Sequence, residues 1–283
     1  MKVAVIGSSG GMGKFLAKYF LSQGCAVTGS DLRRPGIRHR SFSFSCSNLA
    51  AVKGADVVVI ATPADATVAA VSEVAPGLRE GAVVVEITSV KAKVLRQVRR
   101  RLAESRATLL SLHPLFGPSM DVYKGMKVCV IETDGGSEAL ARRLFPQAEL
   151  IPMGEEEHDR KMALILSLTH LLNIAYAGTI RRHMRPVEFR RLQTPTSGVQ
   201  LTLAEGILSQ SPALYSYIQT ENPYAAEAAR ALVEELGGLL GFIEKGDRKA
   251  FEKRFRELSR AFAGDSEEAL GLVYQAFEKS SSR

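Results

Sequence analysis

The 283-residue sequence contains no tryptophan, only three cysteines and an aromatic fraction of 7%. Cys25, Cys46 and Cys129 are odd in number and widely spaced, which excludes a disulfide framework and a paired-cysteine zinc site. They are expected as reduced core thiols of a cytoplasmic protein, and no metal site is expected. No secretory leader is expected either, because Met1 runs straight into Lys-Val-Ala-Val-Ile and a glycine-rich turn. Acidic charge is scarce in one half only. Residues 1–150 carry 20 basic and 12 acidic side chains, while the remainder is nearly balanced and the whole stands at +7. That local excess suits a small polyanionic ligand. The densest basic run, Lys91 to Arg106, has no RNA-type aromatic motif beside it, so no nucleic-acid partner is expected. It reads as the solvated face of a helix whose Val94, Leu95, Val98 and Leu102 point inward. Long apolar runs are also rare. Met162 to Ile180 has the length of a membrane span, but it carries Ser167, Thr169, His170, Asn173, Tyr176 and Thr179 and has no companion. It is expected at the centre of a helical bundle, with no membrane partner.

What is present is a hydrophobic fraction of 46% and 24 glycines in a chain long enough for two domains. Short β-branched runs alternate with helical patterns from the start: strands at 2–6, 26–30, 57–61, 82–87, 108–112 and 127–131, with a helix at 11–23 presenting Phe15, Leu16, Tyr19 and Phe20 on one face. Strands apolar throughout are covered on both faces. Separated by helices, they predict an α/β fold with a Rossmann-like, doubly wound parallel sheet. After Pro152 strand signals stop. Helical patterns run over 155–183, 187–208, 212–219, 223–245, 247–263 and 266–279, punctuated by Pro186, Pro195, Pro212, Pro223 and Gly237-Gly238. The expected division is a dinucleotide-binding domain over 1–152 and an all-α helical domain over 153–283.

The first strand leads into Gly7-Ser8-Ser9-Gly10-Gly11-Met12-Gly13 and then a helix. In that context glycines let backbone N–H groups approach a pyrophosphate at a helix N-terminus. Ser8 occupies the first slot of the G-x-G-x-x-G pattern, and Gly10 and Gly13 fill the second and third. Asp31, at the end of the second strand, is suited to the ribose hydroxyls and favours NAD. Arg33 and Arg34 follow it and suit a 2′-phosphate, which leaves NADP open. Among five histidines, His39 and His183 read as solvated and His158 as a charged partner in an acidic cluster. His113, in Leu-His-Pro-Leu-Phe-Gly-Pro-Ser, ends a strand where open α/β sheets bind ligands. His170 shares a polar stripe with Ser167, Thr169 and Asn173; a satisfied core histidine is the competing reading. Ser89, in Glu-Ile-Thr-Ser-Val-Lys, reaches the same edge and also suits a helix N-cap.

Together, Gly-Ser-Ser-Gly-Gly-Met-Gly at 7–13, Ala61-Thr62-Pro63, Thr88-Ser89-Val90-Lys91, His113-Pro114-Leu115-Phe116-Gly117-Pro118, Ser167-Leu168-Thr169-His170 and Leu208-Ser209-Gln210-Ser211-Pro212-Ala213-Leu214-Tyr215 resemble the prephenate/arogenate dehydrogenase family of tyrosine biosynthesis. The likeness covers nearly the whole chain. It implies oxidative decarboxylation of prephenate to 4-hydroxyphenylpyruvate, with hydride transfer to NAD. In that reading His170 accepts the proton of the ring 4-hydroxyl, His113 steadies the hydroxyl and cofactor, and Ser89 hydrogen-bonds His170 or the hydroxyl. Ser8, Ser9, Gly10, Gly11, Met12, Gly13, Asp31, Thr62 and Pro63 hold the dinucleotide, and the helical domain makes a homodimer.

The chain departs from the family where relatives carry an arginine that clamps a substrate carboxylate. Here that position is Gly206, and Arg190 and Arg191 are the nearest replacements, with surface charge as their competing reading. Ser119 stands where some relatives place an acid. The alternatives are an arogenate dehydrogenase, another NAD(P)-dependent hydroxyacid or imine-type dehydrogenase, and a non-catalytic dinucleotide sensor.

Overall fold

A computed structural model describes residues 1–119, 125–133, 135–262 and 266–281. By backbone contacts the chain divides into two compact units, Met1–Met162 and Ala163–Arg283.

The first unit holds eight strands: β1 (Lys2–Ile6), β2 (Ala26–Ser30), β3 (Phe42–Ser45), β4 (Val57–Ile60), β5 (Val83–Glu86), β6 (Thr108–Pro114), β7 (Lys127–Ile131) and β8 (Glu149–Met153). They form one sheet in the order β3-β2-β1-β4-β5-β6-β7-β8. Between them run α1 (Gly11–Ser22), α2 (Asn48–Ala51), α3 (Thr67–Val74), α4 (Ala92–Leu102) and α5 (Ser137–Leu144), and α6 (Glu155–Met162) follows β8. The central strands are valine-rich and buried along their length, as strands covered on both faces must be. Tyr19 and Phe20 of α1 meet Phe145 at the end of α5, with the Tyr19 and Phe145 rings stacked at 5.1 Å. The Tyr19 hydroxyl donates to the Leu144 carbonyl, so the buried ring leaves no polar atom unsatisfied. Helix α4 buries Val94, Leu95, Val98 and Leu102, the face expected of it.

Four features differ from the sequence reading. The sheet is not wholly parallel: β7 runs antiparallel to β6. The described residues of the intervening 115–126 segment contain no helix to carry a parallel crossover. Strands β3 and β8 escape the apolar-run pattern because both are only partly buried. Strand β3 alternates Phe-Ser-Phe-Ser at one sheet edge, and β8 closes the other edge and includes Pro152. Cys25 and Cys129 are buried, but Cys46 follows the edge strand β3 and is exposed rather than in the core. The division at 162/163 lies ten residues beyond the expected 152/153, because α6 is bonded into the first unit through His158 and Asp159.

The second unit begins with a π-helical stretch, Ala163–Leu168, followed by α7 (Thr169–His183), α8 (Pro186–Leu192), α9 (Pro195–Leu208), α10 (Pro212–Glu221), α11 (Ala225–Lys245), α12 (Arg248–Ala261) and α13 (Ser266–Ser281). The single helix expected over 187–208 is two. Gln193 and Thr194 are extended ahead of Pro195, and Thr194 starts α9 with a reciprocal capping box to Ser197. Helical residues Glu155–His183 are long and apolar enough to cross a membrane by length and composition, with 17% of their most apolar window buried. The expectation of a fully enclosed central helix therefore fails: Leu164, Ile165, Leu172 and Ile174 are exposed. Within the second unit, α9 packs on α7 and α11 on the π-helical stretch, with smaller contacts from α8 and α10.

Candidate active site

In the order β3-β2-β1-β4-β5 the strands are added to one side of β1 and then, from β4, to the other, and in open α/β sheets ligands bind beyond the carboxyl ends of strands at such a point. Five loops gather at this edge, after β1, β2, β4, β5 and β6. Gly7 adopts φ +85°, and a Cβ there would lie 2.5 Å from the Ala61 carbonyl oxygen, so the loop after β1 abuts Ala61-Thr62-Pro63. A Cβ on Gly13 would come within 2.0 Å of the Gly7 oxygen, and one on Gly11 within 2.7 Å of Pro118 Cγ. The His113–Pro118 segment thus folds back over the glycine turn, and Phe116 meets Phe15 at 5.2 Å between ring centroids.

No side chain caps α1, and no acidic residue occupies its first turn. Its leading N–H groups are therefore available to an anion. Ser8 is fully buried, and its Oγ has no partner among the described residues. Asp31 accepts from Ser9 N at 2.8 Å through Oδ2 and from Leu32 N at 2.7 Å through Oδ1. Ser9 Oγ donates to the Arg33 carbonyl. Arg33 and Arg34 are exposed. These residues fit a dinucleotide: a side-chain-free turn, uncapped amides, an orphaned hydroxyl and a carboxylate held beside them.

Behind this edge lies a buried polar network that the sequence reading did not assemble. Lys91 is fully buried, and its Nζ donates to Glu86 Oε1 at 2.5 Å and to the Leu112 carbonyl at 2.8 Å. Glu86 also accepts from Ser111 Oγ and from the backbone and hydroxyl of Thr88. Asp159 accepts from the backbone N–H groups of Lys91 and Ala92 at 2.9 Å each, which caps α4 from a distant segment. His158 Nδ1 lies 2.9 Å from Asp159 Oδ1, and its Nε2 lies 2.8 Å from His113 Nδ1. Burial first, then the Lys91 charge and His158, hold the His113 pKa well below 6.5. Burial also pushes His158 down, against its hydrogen bond to the Asp159 carboxylate. Ser89 is half-buried in the β5–α4 loop, two residues before Lys91.

The expectation for His158 is a charged partner in an acidic cluster and for Lys91 a solvated helix face; both are buried, His158 against Asp159 with its pKa lowered. The available signal is helical spacing: His158 and Asp159 lie four and three residues before Met162, on the buried face of α6, whereas Glu155, Glu156 and Glu157 are not buried.

In the second unit His170 packs edge-on against Tyr215, with centroids 4.4 Å apart. Its Nδ1 is buried with no partner among the described residues, and burial lowers its pKa. Elsewhere on its stripe, Asn173 donates to the Thr169 carbonyl and accepts from Gln200, while Ser167 engages Ile218 and Gln219. Arg190 donates to Glu205, a partner that competes with any substrate carboxylate. Arg191 is exposed, Gly206 faces open space, and Ser119 is exposed at the edge of the described region.

Two family models match this chain. One, described as "Prephenate dehydrogenase, nucleotide-binding domain", covers residues 22–140, and the other, "Prephenate dehydrogenase, dimerization domain", covers 154–257. The chain belongs to the prephenate dehydrogenase family. A "probable arogenate/prephenate dehydrogenase" of Methanocaldococcus jannaschii is 26% identical over 94% of this chain, which spans 62% of that relative's length. A 4-amino-4-deoxyprephenate dehydrogenase of Streptomyces pristinaespiralis is 29% identical over 91% of this chain and 90% of its own. Among solved structures, Aquifex aeolicus prephenate dehydrogenase with hydroxyphenyl propionate and NAD+ superposes with TM-score 0.75 at 19% identity, covering 93% of this chain and 97% of that one. Synechocystis arogenate dehydrogenase follows at TM-score 0.71 and 15% identity, over 95% and 100%. These structures share the family's fold: a Rossmann-like domain followed by a helical one.

Proposed function

We propose that this chain is an NAD-dependent prephenate dehydrogenase, converting prephenate to 4-hydroxyphenylpyruvate and carbon dioxide, with His113 as the proton acceptor. The observation that carries this reading is a buried imidazole, its pKa held well below 6.5, near the end of β6, whose following residues reach Pro118 over the glycine turn. Ser8–Gly13 would hold the pyrophosphate, Asp31 the ribose, and Thr62 and Pro63 the nicotinamide end. Asp31 supports NAD, since a 2′-phosphate would face its carboxylate. When bound, NAD supplies the acceptor for the hydride leaving the ring carbinol carbon. His113 takes the hydroxyl proton as that hydride departs; a ring held neutral at working pH is suited to this. Loss of carbon dioxide then makes the ring aromatic.

The sequence reading gives the proton to His170. The geometry favours His113, whose Nδ1 already has a partner and whose segment touches the turn. Within the first unit, Ser89 would be a second contact to the hydroxyl. Arg191 and Ser119 remain candidates for a substrate carboxylate, and Arg190 would have to leave Glu205.

Exposed Leu236, Leu240, Ile243, Phe251, Phe255 and Phe262 on and beside α11 and α12 support a homodimer through the helical half, as does the family-model description covering 154–257. Reduced nicotinamide absorbance with prephenate, arogenate and 4-amino-4-deoxyprephenate, each with NAD and NADP, tests the activity. Fastest turnover of prephenate with NAD is expected. A preference for the 4-amino substrate would favour the function named for the Streptomyces relative, and no turnover of any would leave a dinucleotide sensor.

A further inference from the structure

We propose that His158 and Asp159 are positioning residues that lock His113 in the tautomer with a proton on Nδ1 and a bare Nε2, leaving Nε2 to accept the substrate proton. This rests on the dehydrogenase reading above and adds the residues that set the base. The argument is a count of donors. Asp159 receives the Lys91 and Ala92 backbone N–H groups on its two oxygens, so it faces His158 as an acceptor. His158 Nδ1, at 2.9 Å, must then donate. A neutral ring has one proton, so His158 Nε2 carries a lone pair. Across 2.8 Å it accepts from His113 Nδ1–H, and the neutral His113 ring is left with Nε2 as its acceptor.

Neutrality is built into the surroundings. From α4, the Lys91 ammonium faces the pair and opposes a second positive charge; from α6 come His158 and Asp159 themselves. Strand β7 contributes Cys129, paired in register with His113, and β5 contributes Glu86, which is engaged with Lys91. When Nε2 takes the hydroxyl proton, the imidazolium keeps its Nδ1–H bond to His158, and Asp159 stands behind to stabilise the charge. As carbon dioxide leaves and the ring becomes aromatic, the ring oxygen takes the proton back from His113, bound NAD would hold the hydride, and no proton is left over.

The arrangement makes Asp159→Asn informative. An amide must turn its NH2 either toward the α4 N–H groups or toward His158 Nδ1. The second choice reverses both rings and puts a proton on His113 Nε2. The analogous change in a Ser-His-Asp triad lowers kcat about 10⁴-fold through the wrong tautomer.

The test uses the full chain with histidine labelled by nitrogen-15. Long-range proton–nitrogen spectra are expected to show His113 and His158 both protonated on Nδ1. Asp159→Asn is expected to shift His113 toward Nε2–H and to lower kcat with prephenate and NAD about 10²- to 10⁴-fold, with KM for NAD nearly unchanged. Should that variant fold poorly, His158→Gln retains an amide oxygen to accept from His113 Nδ1–H and should recover activity that His158→Leu loses. A wild-type His113 protonated on Nε2 overturns the proposal, as does equal activity in the Gln and Leu variants. Expected tautomers in a chain that turns over no dienol support the lock and count against the dehydrogenase reading instead.

Discussion

At the residue scale, the molecule depends on a few positions where one added or lost group has nowhere to go. Gly13 is one, because a methyl there meets the Gly7 oxygen at 2.0 Å and that oxygen belongs to backbone, which cannot swing aside. Gly13→Ala should destabilise the first unit by about 1–3 kcal/mol through overpacking. It should also weaken NAD binding, read by urea denaturation and NAD titration of the same preparation. Unchanged NAD affinity would separate the turn from the cofactor. Lys91 is a second such position. Its ammonium is withdrawn wholly from water and compensated by Glu86 and the Leu112 carbonyl, and burial lowers its pKa despite both nearby carboxylates. Removing one partner of a buried pair strands the other, so Lys91→Met should cost about 3–5 kcal/mol, measured by chemical denaturation. By contrast, Arg99 pairs with Glu155 in partial solvent, and Arg99→Ala should cost under about 1 kcal/mol.

At the element scale, central strands and amphipathic helices were legible because burial imposes a period on them. The valine runs of β4 and β5 admit one reading, and α4 shows its inward face at every turn. Edges were not legible: β3 and β8 are half-exposed, so no apolar pattern is enforced there. The glycine turn and Asp31 could be found from spacing, since their roles are local. The Glu86–Lys91–Asp159–His158–His113 network could not, because its members come from β5, α4, α6 and β6 and meet only in three dimensions. The polar stripe on α7 was visible, but its destination was not. Asn173 joins α7 to α9 through Gln200 at 2.8 Å while donating to Thr169. Asn173→Ala removes both bonds and leaves the Gln200 amide without that acceptor, so a loss of about 1–3 kcal/mol is expected. Hydrogen exchange should place the loss in α7 and α9 and leave the amides of β4 and β5 protected. Faster exchange throughout the sheet would contradict that localisation.

At the scale of the whole molecule, three buried or half-buried imidazoles make folding sensitive to mild acid. His113, His158 and His170 all have pKa values below the ordinary 6.5, with burial the largest cause in each. In the unfolded chain they take up protons as pH falls through about 6.5, while the folded chain refuses them until lower pH. The unfolded state therefore binds more protons in that window, and stability must fall as pH falls. Each imidazole contributes a slope of up to about 1.4 kcal/mol per pH unit between its folded pKa and 6.5. His113 and His158 share one environment and will not simply add; half-buried His170 contributes less. Asp56, held low first by the Lys2 backbone N–H, loses its contribution only in a more acidic window below its ordinary 3.8. The two effects are thus separable. Urea denaturation at several values between about pH 5 and 8 should give stability rising to a plateau above about 6.5. His113→Asn, which cannot titrate, should flatten the slope even where it changes the plateau. A wild-type protein equally stable at about pH 5 and pH 7 would mean that these rings carry their protons in the folded state. An imidazolium at position 113 has no lone pair for a substrate proton, so this equilibrium measurement bears directly on the assigned base.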